Sequence, residues 1–174
     1  MLGGMDVKKN KRRNPWLTLL FMAYTALMLY LLFIRNRSGV DGLPYLEQVL
    51  SNYNLTPGRT IGSYWDVLSR SEHYLQKWGQ EVYQQQAQFA VVNLVGNVAM
   101  FIPFGAFLPA LWWKMRRAWK TIPFAVLTIA LVEALQLITL RGKCDVDDLL
   151  LNFAGVFLGY ALWRLCQKRQ RKHR

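Results

Sequence analysis

Asn93, Asn97, Glu133, Gln136 and Asn152 are polar side chains set inside long apolar stretches, and Asp145 and Asp148 stand just before the last of those stretches. An acid at mid-bilayer costs roughly 2.5–3.5 kcal/mol on insertion scales, so such groups persist when they face one another, and function is then the default hypothesis. Two chemistries suit them. Glu133, Asp145 and Asp148 are candidate oxygen ligands for a divalent cation, which would in turn hold a lipid phosphate or pyrophosphate. The same three are candidate catalytic groups, with Glu133 the general acid or base. Arg141 and Lys143 lie close enough in sequence to contact a phosphate. The chain has no phosphate-cradling glycine loop, no His-Glu-x-x-His and no Ser-His-Asp arrangement, and its histidines, His73 and His173, stand apart from the acids.

Spacing lets these residues meet. Asn93 and Asn97 are four apart and share a helix face; Glu133 and Gln136 are three apart and share another. Asp145, Asp148, Asn152, Gly155 and Gly159 advance by three and four, which makes one stripe down a helix. Gly155 and Gly159 form a GxxxG pair, the pattern that admits a second helix at close range. The predicted binding set is Asn93, Asn97, Glu133, Gln136, Arg141, Asp145, Asp148 and Asn152.

Each has a plainer reading. The asparagines serve equally as hydrogen-bond glue between helices, worth roughly 0.6 kcal/mol each in membrane cases. Asp145, Asp147 and Asp148 have the sign that favours a helix N-terminus. Glu133 resists such a reading, because a carboxyl seven residues into a span must be neutral or paired.

The elements that position them are membrane spans. The chain has 174 residues, is 53% hydrophobic and carries a net charge of +12. Its apolar residues fall in blocks long enough for a hydrocarbon core of about 30 Å. These cover about 16–34, 89–113, 121–140 and 149–165, so the predicted fold is a single-domain, all-α integral membrane protein with four transmembrane helices. Arg35-Asn36-Arg37 follows the first block where a signal peptide would show small residues, so an uncleaved helix is expected. Within FIPFG, Pro103 and Gly105 predict a kink in the second helix that frees the Ala99 carbonyl.

Basic residues set the expected orientation. Lys8, Lys9, Lys11, Arg12 and Arg13, the loop KMRRAWK and the end RLCQKRQRKHR fall on one side of four crossings, cytoplasmic by the positive-inside rule. All acids but Asp6 and Glu133 fall on the other. The positive charge is thereby explained by topology and anionic lipid, and no nucleic-acid partner is predicted. Cys144 and Cys166 are placed on opposite sides, so they cannot pair within one chain.

The external segment 35–88 joins the first two spans. Trp65, Leu68, Leu75, Trp78 and Val82 predict one helix starting at Ser63 or Ser69 and weakened by Gly79. It is read either as a lid over the bundle mouth or as an interfacial helix packed beside it. Asn36-Arg37-Ser38 and Asn54-Leu55-Thr56 match a glycosylation pattern that matters only in a eukaryotic host.

The strings NLVGNVAMFIPFGAFLP and EALQLITLRGKCDVDDLLLNFAGVFLGY resemble the VanZ-like family, named for a teicoplanin-resistance accessory protein. The residues that carry the resemblance are Asn93, Gly96, Asn97, Phe101, Pro103, Phe104 and Gly105; Glu133 and Gln136; and Arg141, Asp145, Asp148, Asn152 and Gly155. They span roughly 89–160. The resemblance implies a multi-pass protein of the bacterial cytoplasmic membrane, with both termini cytoplasmic, that lowers susceptibility to glycopeptide antibiotics, teicoplanin more than vancomycin. It assigns no catalytic residue. Expected partners are membrane lipids together with a lipid-linked wall precursor or a lipoglycopeptide antibiotic; the candidate cofactor is a divalent cation. The alternatives are a membrane enzyme acting on a lipid phosphate and a structural subunit of a membrane complex.

Overall fold

The computed structural model describes residues 14–35 and 43–172. The basic cluster Lys8, Lys9, Lys11, Arg12 and Arg13, the sequence Asn36-Arg37-Ser38, and His173 lie outside the described residues. Helix α1 (Pro15–Leu29) begins with proline at a position where no N–H is required, and the Asn14 side chain accepts from the Trp16 amide at 3.1 Å. It continues as a π-helix, Tyr30–Arg35. Then follow α2 (Tyr45–Ser51), β1 (Tyr53–Asn54), α3 (Arg59–Ser69), α4 (Ser71–Trp78) and α5 (Gln80–Leu111). A 3-10 turn (Trp113–Arg116) leads to α6 (Ala118–Thr139), β2 (Cys144–Asp145) and α7 (Val146–Lys172).

Four helical segments are long and apolar enough to cross a membrane: Pro15–Ile34, Gln80–Leu111, Ala118–Thr139 and Val146–Gln170. The all-α, four-span architecture is therefore as the composition predicts. Its strand content among the described residues is one parallel pair of two-residue strands, with Tyr53 opposite Cys144 and Asn54 opposite Asp145. The core joins α1, α5, α6 and α7 through Met28, Leu32, Phe101, Phe104, Leu108, Ala125, Ile129, Val132 and Val156.

One local expectation is corrected. The single helix between the first two spans is instead α3 and α4, broken at Arg70 (φ −108°, ψ 47°), with Gly79 (φ 79°) separating α4 from α5. The left-handed region admits glycine without a Cβ penalty, so Gly79 ends a helix where it had been read as only weakening one. Helix α5 begins at Gln80, ahead of the apolar block that starts near 89, and is about 48 Å long. It remains helical through Pro103 and Pro109. Near that point the Tyr24 hydroxyl donates to the Met100 carbonyl at 2.7 Å, fastening α1 to α5.

Helices α5 and α7 form the principal pair, and glycines let their backbones touch. A methyl group at Gly155 would fall inside the van der Waals shell of the Val98 carbonyl oxygen; one at Gly159 would meet the Ile102 carbonyl, and one at Gly105 the Val156 carbonyl. Backbone cannot retreat as a side chain can. Gly159→Ala is therefore expected to destabilise the bundle by about 1–3 kcal/mol, read as a lower unfolding temperature in detergent. Gly62→Ala, on α3 with open space around it, should leave stability unchanged or raise it by up to about 1 kcal/mol.

Candidate functional site

Two acids that precede or open α7 organise the near end of the bundle. Asp147 is wholly buried, and it does not cap its own helix. Its Oδ1 accepts from the Gly58 amide at 2.6 Å, and its Oδ2 accepts from the amides of Thr60 and Ile61 at 2.8 and 3.0 Å. Those amides open α3, so a carboxylate from α7 meets the positive end of a different helix. Gly58, at φ 80°, makes the turn that aims its N–H inward.

Asp145, 3% exposed, completes the clasp. Its Oδ2 accepts from the Thr60 hydroxyl at 2.5 Å, Asn54 Nδ2 reaches both its oxygens at 3.3 and 3.2 Å, and its Oδ1 accepts from the Asp147 amide at 2.9 Å. Asn52 adds a bond from its Nδ2 to the Gly142 carbonyl at 2.8 Å, and the Tyr45 hydroxyl donates to Ile138 O at 2.7 Å. The segment Tyr45–Ser69 is thus tied across the α6–α7 turn by several buried or half-buried hydrogen bonds. Leu140 (φ 52°) reverses the chain there, with the Arg141 amide donating to Gln136 O at 2.9 Å, the wrapped ending of a helix C-terminus.

Beneath that cover lie the intramembrane pairs. Asn97 on α5 donates through Nδ2 to Asp148 Oδ1 at 2.6 Å. Asn152 on α7, 2% exposed, donates through Nδ2 to Glu133 Oε1 on α6 at 3.4 Å, a long contact. Glu133 is 4% exposed. Its Oε2 and the Asn152 Oδ1 are buried and make no hydrogen bond among the described residues, although the Asp145 amide lies near the Glu133 carboxyl. Leaving a buried acceptor unused costs about 1–3 kcal/mol. These two oxygens are buried atoms of the cluster with bonding capacity to spare.

Tyr64, on α3, faces the same acids. Burial pushes its phenol up from the ordinary tyrosine range, and the charges of Asp148 and Asp145 push it the same way. Its ring meets Phe89 edge-on at 6.0 Å, so α3 rests on α5 directly above the acids. Cys144 is affected similarly: burial first, then Glu133 and Asp145, raise its thiol pKa. Thiolate is the reactive form, so Cys144 is expected to react with iodoacetamide more slowly than an ordinary free thiol at pH 8, and to gain rate as pH is raised further.

The remaining predicted residues divide. Gln136, buried, donates through Nε2 to Leu32 O at 3.1 Å, satisfying a carbonyl of the π-helical end of α1. Asn93 turns back on its own helix, donating to Phe89 O at 2.7 Å, and does not join the acids. Arg141 is half-buried in the turn, and no ion pair joins it to the cluster among the described residues. Glu133, Asp145 and Asp148 do not converge as a cation site either: among the described residues no three of His, Cys, Asp and Glu do so. The physical reason is that Asp145 already spends its oxygens on Asn54, Thr60 and the Asp147 amide. Asp147, Asn54, Thr60 and Tyr64 were missed from sequence. Only the unusual run of acids at 145–148 hinted at a role beyond a helix start.

A family model described as VanZ/LLP1 matches residues 21–167, most of the chain and all of the cluster. No curated protein and no solved structure matches.

Proposed function

Because this chain belongs to the VanZ/LLP1 family, we propose that it acts in the bacterial cell envelope to lower susceptibility to teicoplanin-type glycopeptides. The reading places the acids and α3 at the outer face of the cytoplasmic membrane and both termini inside. The observation that carries it is the pair of spare oxygens on Glu133 and Asn152, held between two spanning helices beneath a clasped segment. A buried polar site at that depth offers hydrogen bonds to a lipid headgroup, a lipid-linked wall precursor or a lipid-anchored drug. Teicoplanin carries a lipid tail, so protection should follow the tail. Expressed in a sensitive Gram-positive host, the protein is expected to raise the inhibitory concentration of teicoplanin and to do less against vancomycin. Equal protection against both drugs, or none, would count against the reading.

Orientation has its own check. Lys114, Arg116, Arg117 and Lys120 crowd the α5–α6 end, where no acid lies in sequence between Glu81 and Glu133. In intact cells a membrane-impermeant maleimide should label a Lys143→Cys variant, exposed beside the acids, and spare Cys166 until the cells are opened. The reverse pattern would invert the topology.

The same spare oxygens favour a second reading, in which Glu133 is a general acid or base in a membrane enzyme acting on a lipid phosphate. Release of phosphate from a lipid-linked precursor by the purified protein would separate that reading from the first.

A further inference from the structure

At the end of the bundle away from the acids, α7 and the 3-10 turn enclose a cleft lined by Arg116, Trp163, Arg164, Gln167 and Lys168. Its α7 residues recur at steps of one and three, so they share one helix face. One hydrogen bond holds the turn against α7, the Tyr160 hydroxyl donating to Arg116 O at 2.8 Å, and a second ties it to α5, Arg116 Nε donating to Pro109 O at 3.3 Å. The Thr121 hydroxyl, buried at the start of α6, fastens the turn from its other side by donating to Met115 O. Arg116 is thereby set opposite Arg164 and Lys168 on a braced turn. Trp163 packs beside Tyr160 with ring centroids 5.9 Å apart, closing the wall of the cleft.

Among the described residues no ion pair neutralises these cations. No Asp or Glu occurs after Asp148, nor between Glu81 and Glu133, so the turn, the start of α6 and the far half of α7 are free of acids. Three like charges brought together at a cost in repulsion call for an anion. The cleft also sits at the end of a spanning helix, with Trp163 in its wall and Tyr160 beside it, and Trp and Tyr rings favour the headgroup level. Basic clefts between spanning helices at that level hold anionic lipid headgroups.

We propose that this cleft is a binding site for the phosphate headgroup of an anionic phospholipid, with Arg116, Arg164 and Lys168 on the phosphate and Trp163 against the glycerol region. The site lies at the opposite end from the acidic cluster and stands whether or not that cluster protects against glycopeptides.

The test is native mass spectrometry of the purified full-length protein in detergent, titrated with phosphatidylglycerol and, separately, with phosphatidylcholine. Each basic residue near a headgroup is worth about a fivefold change in affinity, so Arg116→Gln, Arg164→Gln and Lys168→Gln combined should weaken phosphatidylglycerol binding about 100-fold. A charge-matched control, Lys114→Gln, Arg117→Gln and Lys120→Gln combined, removes the same charge outside the cleft and should weaken it far less. Inorganic phosphate in the titration distinguishes a lipid site from a simple anion site: it should compete poorly. If the combined cleft variant fails to fold, Arg164→Gln alone should give the fivefold loss. Equal weakening by the cleft and control variants, equal affinity for both lipids, or full displacement by inorganic phosphate would each overturn the proposal.

Discussion

Replacing Asp147 with alanine is expected to release the segment Tyr45–Trp78 from the bundle and to lower stability by about 3 kcal/mol or more. The side chain is fully buried and accepts from the backbone amides of Gly58, Thr60 and Ile61. Hydrogen bonds to a charged acceptor contribute about 1.5–3 kcal/mol each, though three on one carboxylate do not add fully. Their loss also strips α3 of the negative charge at its positive end. Asp147→Asn keeps the volume but turns one acceptor into a donor facing an N–H, so it should recover little. Limited proteolysis reports the effect: about 3 kcal/mol corresponds to roughly a hundredfold rise in the open population, and so in cleavage between α2 and α4. Asp66→Asn is the comparison. Asp66 pairs with the exposed Arg70 at 3.0 Å and accepts from Tyr74, contacts within the segment itself, and it should leave the clasp closed. Unchanged cleavage in Asp147→Ala would mean that α3 is held by packing and not by the carboxylate.

The second large effect concerns function. Glu133→Gln preserves size and removes the ionisable group; Asp148→Asn does the same one helix away, where Asn97 donates to Oδ1 at 2.6 Å. Glu133→Gln also relieves the desolvation of a carboxyl buried without an ion pair among the described residues, so protein abundance should hold or rise. Protection against teicoplanin is nevertheless expected to fall to the empty-vector level in Glu133→Gln, and to be largely lost in Asp148→Asn. Asn93→Ala supplies the contrast, because among the described residues Asn93 bonds to its own helix backbone, and it should protect as wild type does. A purely structural cluster predicts otherwise, with abundance and protection declining together in Glu133→Gln and Asp148→Asn.

The residues that could be read from sequence are those whose partners are fixed by helix geometry. Glu133 meets Asn152, and Asn97 meets Asp148, because each residue's depth in its span follows from counting along a helix of constant rise. Gly155 and Gly159 meet α5 for the same reason, since spacing by four puts both on one face. Gln136 shared the correct face with Glu133, yet its partner is the Leu32 carbonyl, exposed by a π-helical segment that hydropathy does not reveal.

What escaped the sequence reading depends on non-local contacts between irregular segments. Asp147 looks like an ordinary acid of a helix start until Gly58–Ile61 folds onto it, some 90 residues away in the chain. Asn54, Thr60 and Tyr64 have no periodic context at all. The same contacts bear on the cation expectation, since Asn54 and Thr60 hydrogen-bond the Asp145 oxygens and no three of His, Cys, Asp and Glu converge among the described residues. Pro103 lies inside α5, where its missing N–H removes one bond of a long helix without ending it.

The most direct measurement is the inhibitory concentration of teicoplanin in a sensitive Gram-positive host carrying empty vector, wild type, Glu133→Gln or Asn93→Ala, at matched membrane levels. Protection by wild type and Asn93→Ala, lost in an equally abundant Glu133→Gln, is the expected result. Undiminished protection by Glu133→Gln would contradict the assignment of the intramembrane site to this function.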